Sequence, residues 1–183
     1  MELIRISSII SGKIDLKEIA RPYLEELVLK HRETVCLVLY YKEKRRIMWV
    51  DKVNGPEPLQ YVISMGELQP VPFGSSGKSI LAFLEQSEIE QICKEEGFTS
   101  NKIQDLLREL QMIRERRIST TISERLPGSK GFASPILNTI GEPIGSIVFS
   151  APISRVDPEK ESEISEDIKN SAIKISEILG SKH

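Results

Sequence analysis

The 183-residue chain is poor in the residues that most often carry chemistry: two cysteines, two histidines and one tryptophan. Cys36 and Cys93 form no CxxC pair, and the only histidines are His31 and His183, which leaves no basis for a Cys/His metal site. Both cysteines sit in apolar patterns and read as buried thiols of a reducing compartment. No apolar run approaches the ~20 residues of a membrane span, and the N-terminus lacks the core of a secretory signal, so a cytoplasmic protein that does not engage membranes is expected. A net charge of −2 supplies no basic field for direct nucleic-acid binding. There are no internal repeats, no low-complexity tract and no linker long enough to divide the chain. A composition that is 39% hydrophobic and 28% charged is that of an ordinary globular domain.

Within that frame the secondary structure is punctuated by local signals. Residues 2–11 read as a short amphipathic helix ending at Gly12. Asp15 then caps a second helix to about Lys30, its apolar stripe running Leu16, Ile19, Ala20, Tyr23, Leu24, Leu27 and Val28, with Pro22 interrupting it. Thr34–Tyr41 (TVCLVLYY) is a strand buried on both faces, returning through a charged turn as Ile47–Val53. Lys44-Arg45-Arg46 at that turn reads as solvated charge rather than a phosphate patch. A short strand is expected around Leu59–Ile63. Helices follow at Gly77–Leu84, Glu88–Glu96 and Asn101–Arg116, then a strand at Ile118–Ser123. Phe132–Leu137 and Pro143–Ser150 form a hairpin, and a last helix starts at Asp157-Pro158 and stops at Gly180. Consecutive strands joined by short turns, with helices before and after, predict an α+β domain in which helices cover an antiparallel sheet.

The stretch that stands out is Val71–Leu84, a polar, glycine-punctuated turn running into an apolar helix. Gly74-Ser75-Ser76-Gly77-Lys78-Ser79 suggests a phosphate loop, but the position that needs the first glycine is Pro72, which has no donor and a fixed φ. The preceding Gln69-Pro70-Val71-Pro72 is also no buried parallel strand. An NTPase is therefore disfavoured. No nucleophile–base pair is visible elsewhere, and no enzymatic activity is expected. Ser75 and Ser76 have two readings that stay open: caps of the following helix, or hydroxyls that hold a ligand with polar atoms. Lys78, close to a helix N-terminus, requires a compensating partner, for which Glu124 is the candidate.

Taken together, these residues resemble the effector-binding domain of the IclR family of bacterial and archaeal transcription regulators. The signposts are Ala20-Arg21-Pro22-Tyr23-Leu24-Glu25-Glu26-Leu27, Met65-Gly66, Gly77-Lys78-Ser79-Ile80-Leu81-Ala82, Leu110 to Arg114 and Glu124. Gly131-Phe132-Ala133-Ser134-Pro135-Ile136 and Ser150-Ala151-Pro152 with Arg155 complete them. The resemblance implies a GAF-like fold, with residues 1–12 as an interdomain linker helix and 13–183 as the effector-binding domain. It implies a small-molecule effector, such as an organic or aromatic acid, and no cofactor or metal. The implied effector-binding residues are Ser75, Ser76, Thr121, Gly131, Ser150, Met65 and Gly66. Operator DNA would be bound only through an N-terminal winged helix-turn-helix that is not among these residues, and the regulator would be a homodimer or homotetramer. Two departures make one pocket wall less polar than the family pattern: Pro72 and Gly74 where many members have His and Thr, and Val148 where some have a second serine. The alternative is a stand-alone GAF-like signalling or enzymatic domain.

Overall fold

The computed structural model describes residues 2–57 and 63–181, with the backbone alone for 2–15. The first element, α1 (Glu2–His31), is one continuous helix. It passes through Gly12 and Pro22, so the expected division into two helices is not observed. An interior glycine costs only about 1 kcal/mol, and Leu16, Ala20, Leu24 and Leu27 offset it by burying one face completely. The helix ends where Arg32 turns left-handed (φ +59) and its amide bonds Val28 O at 2.8 Å.

Among the described residues six strands, numbered β1 to β6 in chain order, build one sheet in the spatial order β3-β2-β1-β6-β5-β4, with every strand pair antiparallel. β1 (Thr34–Tyr41) and β2 (Arg46–Val53) form the expected hairpin, and β3 is only Gln69–Pro70. β4 is Ser119–Ile122, β5 is Ser129–Leu137 and β6 is Pro143–Pro152. Alternate residues of β1 enter different cores. Val35, Leu37 and Leu39 join the first and last helices on one face, while Cys36, Val38 and Tyr40 join the helices between residues 74 and 116 on the other. Helices therefore cover both faces, which is why the strand is uniformly apolar.

α2 (Gly74–Leu81), α3 (Gln86–Glu95) and α4 (Ser100–Arg116) form the second layer. The hairpin arginines are tied to the end of α3: Arg45 to Glu95 at 2.6 Å and Arg46 to Glu96 at 3.0 Å. These pairs leave no phosphate patch there. The strand expected at 59–63 lies outside the described residues except for Ile63, which is not in a strand; His183 also lies outside them. At the C-terminus Asp157 caps a 3-10 turn (Pro158–Lys160) that leads into α5 (Glu161–Ser181). Gly180 lies inside α5 rather than ending it.

α5 clasps the end of α1 through charge. Asp167 receives Lys30 Nζ at 2.7 Å and His31 Nε2 at 2.8 Å, and Lys30 also reaches Glu163 at 2.9 Å. Burial works against the Asp167 carboxylate, but the hydrogen bonds from Lys30 and His31 outweigh it and hold its pKa below the ordinary value. A depressed carboxylate stabilises the fold above its unfolded pKa, about 3.9, and that contribution is lost as pH falls through the lower folded value. Asp167→Asn should therefore cost about 0.5–1 kcal/mol at pH 7, solvent screening included. In urea titrations the gap from wild type should close below about pH 4; a gap independent of pH would show that the charge contributes nothing.

Candidate functional site

Gly74, at φ +69, turns the chain from extended Phe73 into α2, three residues earlier than the sequence predicts. Ser75 and Ser76 consequently sit inside the first helical turn and do not cap it. The caps come from across the fold. Gly74 N donates to Glu124 Oε2 at 3.2 Å, and Ser75 N donates to Thr121 Oγ1 at 3.0 Å. The first two amides of α2 are thus already engaged by the protein.

Gly77 and Lys78, the pair that suggested a phosphate loop, have structural roles. A Cβ on Gly77 would stand 1.5 Å from Val71 O, so this glycine exists to let α2 press on the preceding segment. Lys78 Nζ reaches Glu124 Oε1 at 2.6 Å, as expected, and both oxygens of Glu109 at 2.9 Å.

Between the sheet and the start of α2 lies a cleft of about 220 Å3. Strand register explains one side of it. Thr121 of β4 pairs with Gly131 of β5, which pairs with Ser150 of β6, so the three lie in one row across the sheet and line the cleft. Val148 lies two residues before Ser150 and shares its face. Ser75 stands over Gly131: a Cβ there would come within 2.7 Å of Ser75 Oγ and 3.6 Å of Thr121 Oγ1. The bare glycine therefore makes the room.

Of the seven residues expected at the site, Ser75, Ser76, Thr121, Gly131 and Ser150 line the cleft. Met65 and Gly66 do not. Met65 is bridged to Trp49 and partly exposed, and Gly66, at φ +76, donates its amide to Trp49 O at 2.9 Å. They brace the strand that carries Trp49 instead of reaching the interior.

The residues missed are Trp49, Ile63 and Leu126 on the apolar side, Ser64, Gln69 and Ser129 on the polar side, and Arg125. Trp49 was traceable as the lone tryptophan of a strand with an alternating buried face. Arg125 carried no signal, being one charge in a loop rich in polar residues. Its Nη2 donates to Pro70 O at 2.9 Å and Phe73 O at 2.7 Å, and its guanidinium lies 4.9 Å from the Trp49 ring centre. Burial pushes its pKa down to about 10, so it stays charged at neutral pH.

Among the described residues that line the cleft there is no histidine, cysteine, lysine or carboxylate. Hydroxyls, one amide, one guanidinium and an apolar wall can bind and orient a molecule, but they offer no general base to activate a serine. Among the described residues no group of three or more His, Cys, Asp or Glu is placed to hold a metal ion, and no helix is long and apolar enough to cross a membrane.

Comparison with known proteins agrees with a binding domain. Residues 10–177 match the family described as the C-terminal domain of the bacterial transcriptional regulator IclR. The HTH-type transcriptional regulator KipR of Bacillus subtilis is 24% identical, over 97% of this chain and 72% of its own length. The HTH-type transcriptional repressor AllR of Escherichia coli K12 is 25% identical, over 92% of this chain and 64% of its own. The crystal structure of Thermotoga maritima IclR superposes with a TM-score of 0.81 at 29% identity, over 98% of this chain and 74% of that one. These relatives are transcription regulators, not enzymes, and they extend beyond the segment matched here. With its antiparallel sheet, its covering helices and this match over most of its length, the chain belongs to the IclR family of transcription regulators, as their C-terminal, effector-binding domain.

Proposed function

We propose that the cleft between α2 and strands β4–β6 holds a small polar metabolite, such as an organic or aromatic acid. Its occupancy would control operator binding by a winged helix-turn-helix joined to α1. The observation that carries this reading is the Thr121–Gly131–Ser150 row facing Ser75 across an otherwise uncommitted cleft. Ser75, Ser76, Thr121 and Ser150 supply hydrogen bonds, Gly131 supplies space, and Trp49 and Val148 supply apolar contact.

For the ligand to regulate anything it must bind one arrangement of the regulator better than another. α1 suits the transmission of such a difference: residues 1–12 would form the linker and 13–183 the effector domain, with no helix break between them. A cytoplasmic homodimer or homotetramer is the assembly proposed.

A thermal-shift screen of the chain against a metabolite library tests the proposal. At a hundredfold excess over its dissociation constant a ligand adds about 2.7 kcal/mol, or about 5–10 °C for a domain of this size. Gly131→Val is the control. The one close approach of its Cβ is to the movable Ser75 hydroxyl, with Thr121 Oγ1 in ordinary contact, so the fold should survive at a cost of about 1–3 kcal/mol while its methyl groups occupy the cleft. The variant should lose the ligand-induced shift. A hit that still stabilises it like wild type would place the site elsewhere.

A further inference from the structure

We infer that Arg125 determines the specificity of the cleft, receiving the carboxylate of an anionic effector, so that charge and not the hydroxyl set alone selects the ligand. The inference rests on the cleft being the effector site and deepens that reading. It names a residue outside the set implied by the family resemblance.

The argument starts from what Arg125 leaves undone. A guanidinium carries five N–H donors in a planar fork. Here Nη2 alone makes both hydrogen bonds, to Pro70 O and Phe73 O. Nε is buried without a partner, and Nη1 has no hydrogen bond among the described residues. No described carboxylate lies within ion-pair distance. The adjacent one, Glu124, is spent on Lys78 and on the amide of Gly74. A cation partly withdrawn from water, stacked near the Trp49 ring and attracted by Glu124 without a direct ion pair among the described residues, is an incomplete arrangement, because buried charges are ordinarily paired. Arg125 is also the only charged side chain among the described residues that line the cleft. An anion entering the cleft would complete it.

The same geometry favours a carboxylate over a phosphate. A phosphate dianion is ordinarily held by several cations or by a run of free amides at a helix start. The cleft offers one cation, and the first two amides of α2 already serve Glu124 and Thr121. A carboxylate monoanion needs only one cation, and the Nη1 donors, which make no hydrogen bond among the described residues, can receive it. The apolar side formed by Trp49, Leu126 and Val148 then receives the carbon skeleton, and the serines receive any hydroxyls on it.

Calorimetric titration of the chain with matched probes decides the matter: benzoate against benzamide, 4-hydroxybenzoate against 4-hydroxybenzamide, and inorganic phosphate. The acids should bind about tenfold or more tighter than their amides, the span expected of a charge-assisted hydrogen bond. Arg125→Gln should bring the ratio near one, and Arg125→Lys, which keeps the charge without the fork, should restore part of it. Thermal melts of both variants verify folding, and the lysine variant carries the test if the glutamine variant melts. Amides binding as tightly as acids, an unchanged ratio in Arg125→Gln, tighter binding of phosphate, or no binding of either acid at millimolar concentration would each overturn the inference. No acid preference in the wild-type chain, or an acid preference that survives Arg125→Gln, with binding still blocked by Gly131→Val, removes the role of Arg125 but leaves the effector cleft standing. Probe binding indifferent to Gly131→Val removes the cleft itself.

Discussion

Gly77→Ala should destabilise the domain by about 3 kcal/mol or more, a loss of about 6–12 °C in melting temperature for a chain of this length. The added methyl has nowhere to go, since its carbon would lie 1.5 Å from Val71 O and 2.7 Å from Val71 C. Both are backbone atoms, so no rotamer change relieves the clash. α2 cannot easily retreat either. Every residue from Gly74 to Leu81 is buried, and Ile80 and Leu81 belong to the core that packs on Val38, Ile47 and Val148. Moving the helix away would open a cavity in a close-packed layer. Gly131→Ala is the informative contrast, because its methyl meets a serine hydroxyl that can rotate. Urea unfolding of the two variants should separate them by about 2 kcal/mol or more. A Gly77→Ala variant within about 1 kcal/mol of wild type would mean that α2 slides freely on the 71–73 segment. The glycine that looks most like part of a nucleotide loop is thus required by packing.

The second large effect is expected from Lys78→Met, about 2–3 kcal/mol. Removing one member of a buried ion pair costs about 3–5 kcal/mol, mainly because the partner charge is stranded. Here the ammonium is nearly inaccessible, at 9% side-chain exposure, whereas Glu109 and Glu124 are each 36% exposed and water recovers part of the loss. The variant leaves two carboxylates facing the vacated space. Adding Glu109→Gln and Glu124→Gln should restore about half the stability by removing that repulsion. Ligand binding should recover less. Glu124 also holds the amide of Gly74, and a neutral glutamine grips the first turn of α2 more weakly. Denaturation and calorimetry on the single and triple variants measure the two effects. A Lys78→Met variant as stable as wild type would show that the three groups are independently solvated.

Lys78 also illustrates how a correct expectation can rest on an altered premise. It was expected to need a partner because it stood at a helix start. With α2 beginning at Gly74 it lies in the last turn, where the helix dipole favours a cation. The partner is required instead by burial. Pro22 shows a similar limit. Its missing N–H marks a weak point in any helix pattern, yet the apolar stripe of α1 packs on the sheet strongly enough to carry the helix through it.

Read alone, the sequence determined the elements whose signals are local. The uniform apolar run of β1 announced burial on both faces. The 3.6-residue stripe from Leu16 to Val28 announced the inner face of α1, and Asp157-Pro158 announced where the last helical segment begins. The family resemblance added five residues that prove to line one cleft. What only the tertiary structure decided is how distant segments meet. The row Thr121, Gly131 and Ser150 exists because of strand register, Gly77 is irreplaceable because Val71 returns against it, and Arg125 reaches the cleft because its loop folds back beneath Trp49. Periodicity and capping report interactions within a few residues, whereas register, close approach and desolvation arise only when the whole chain excludes water around them.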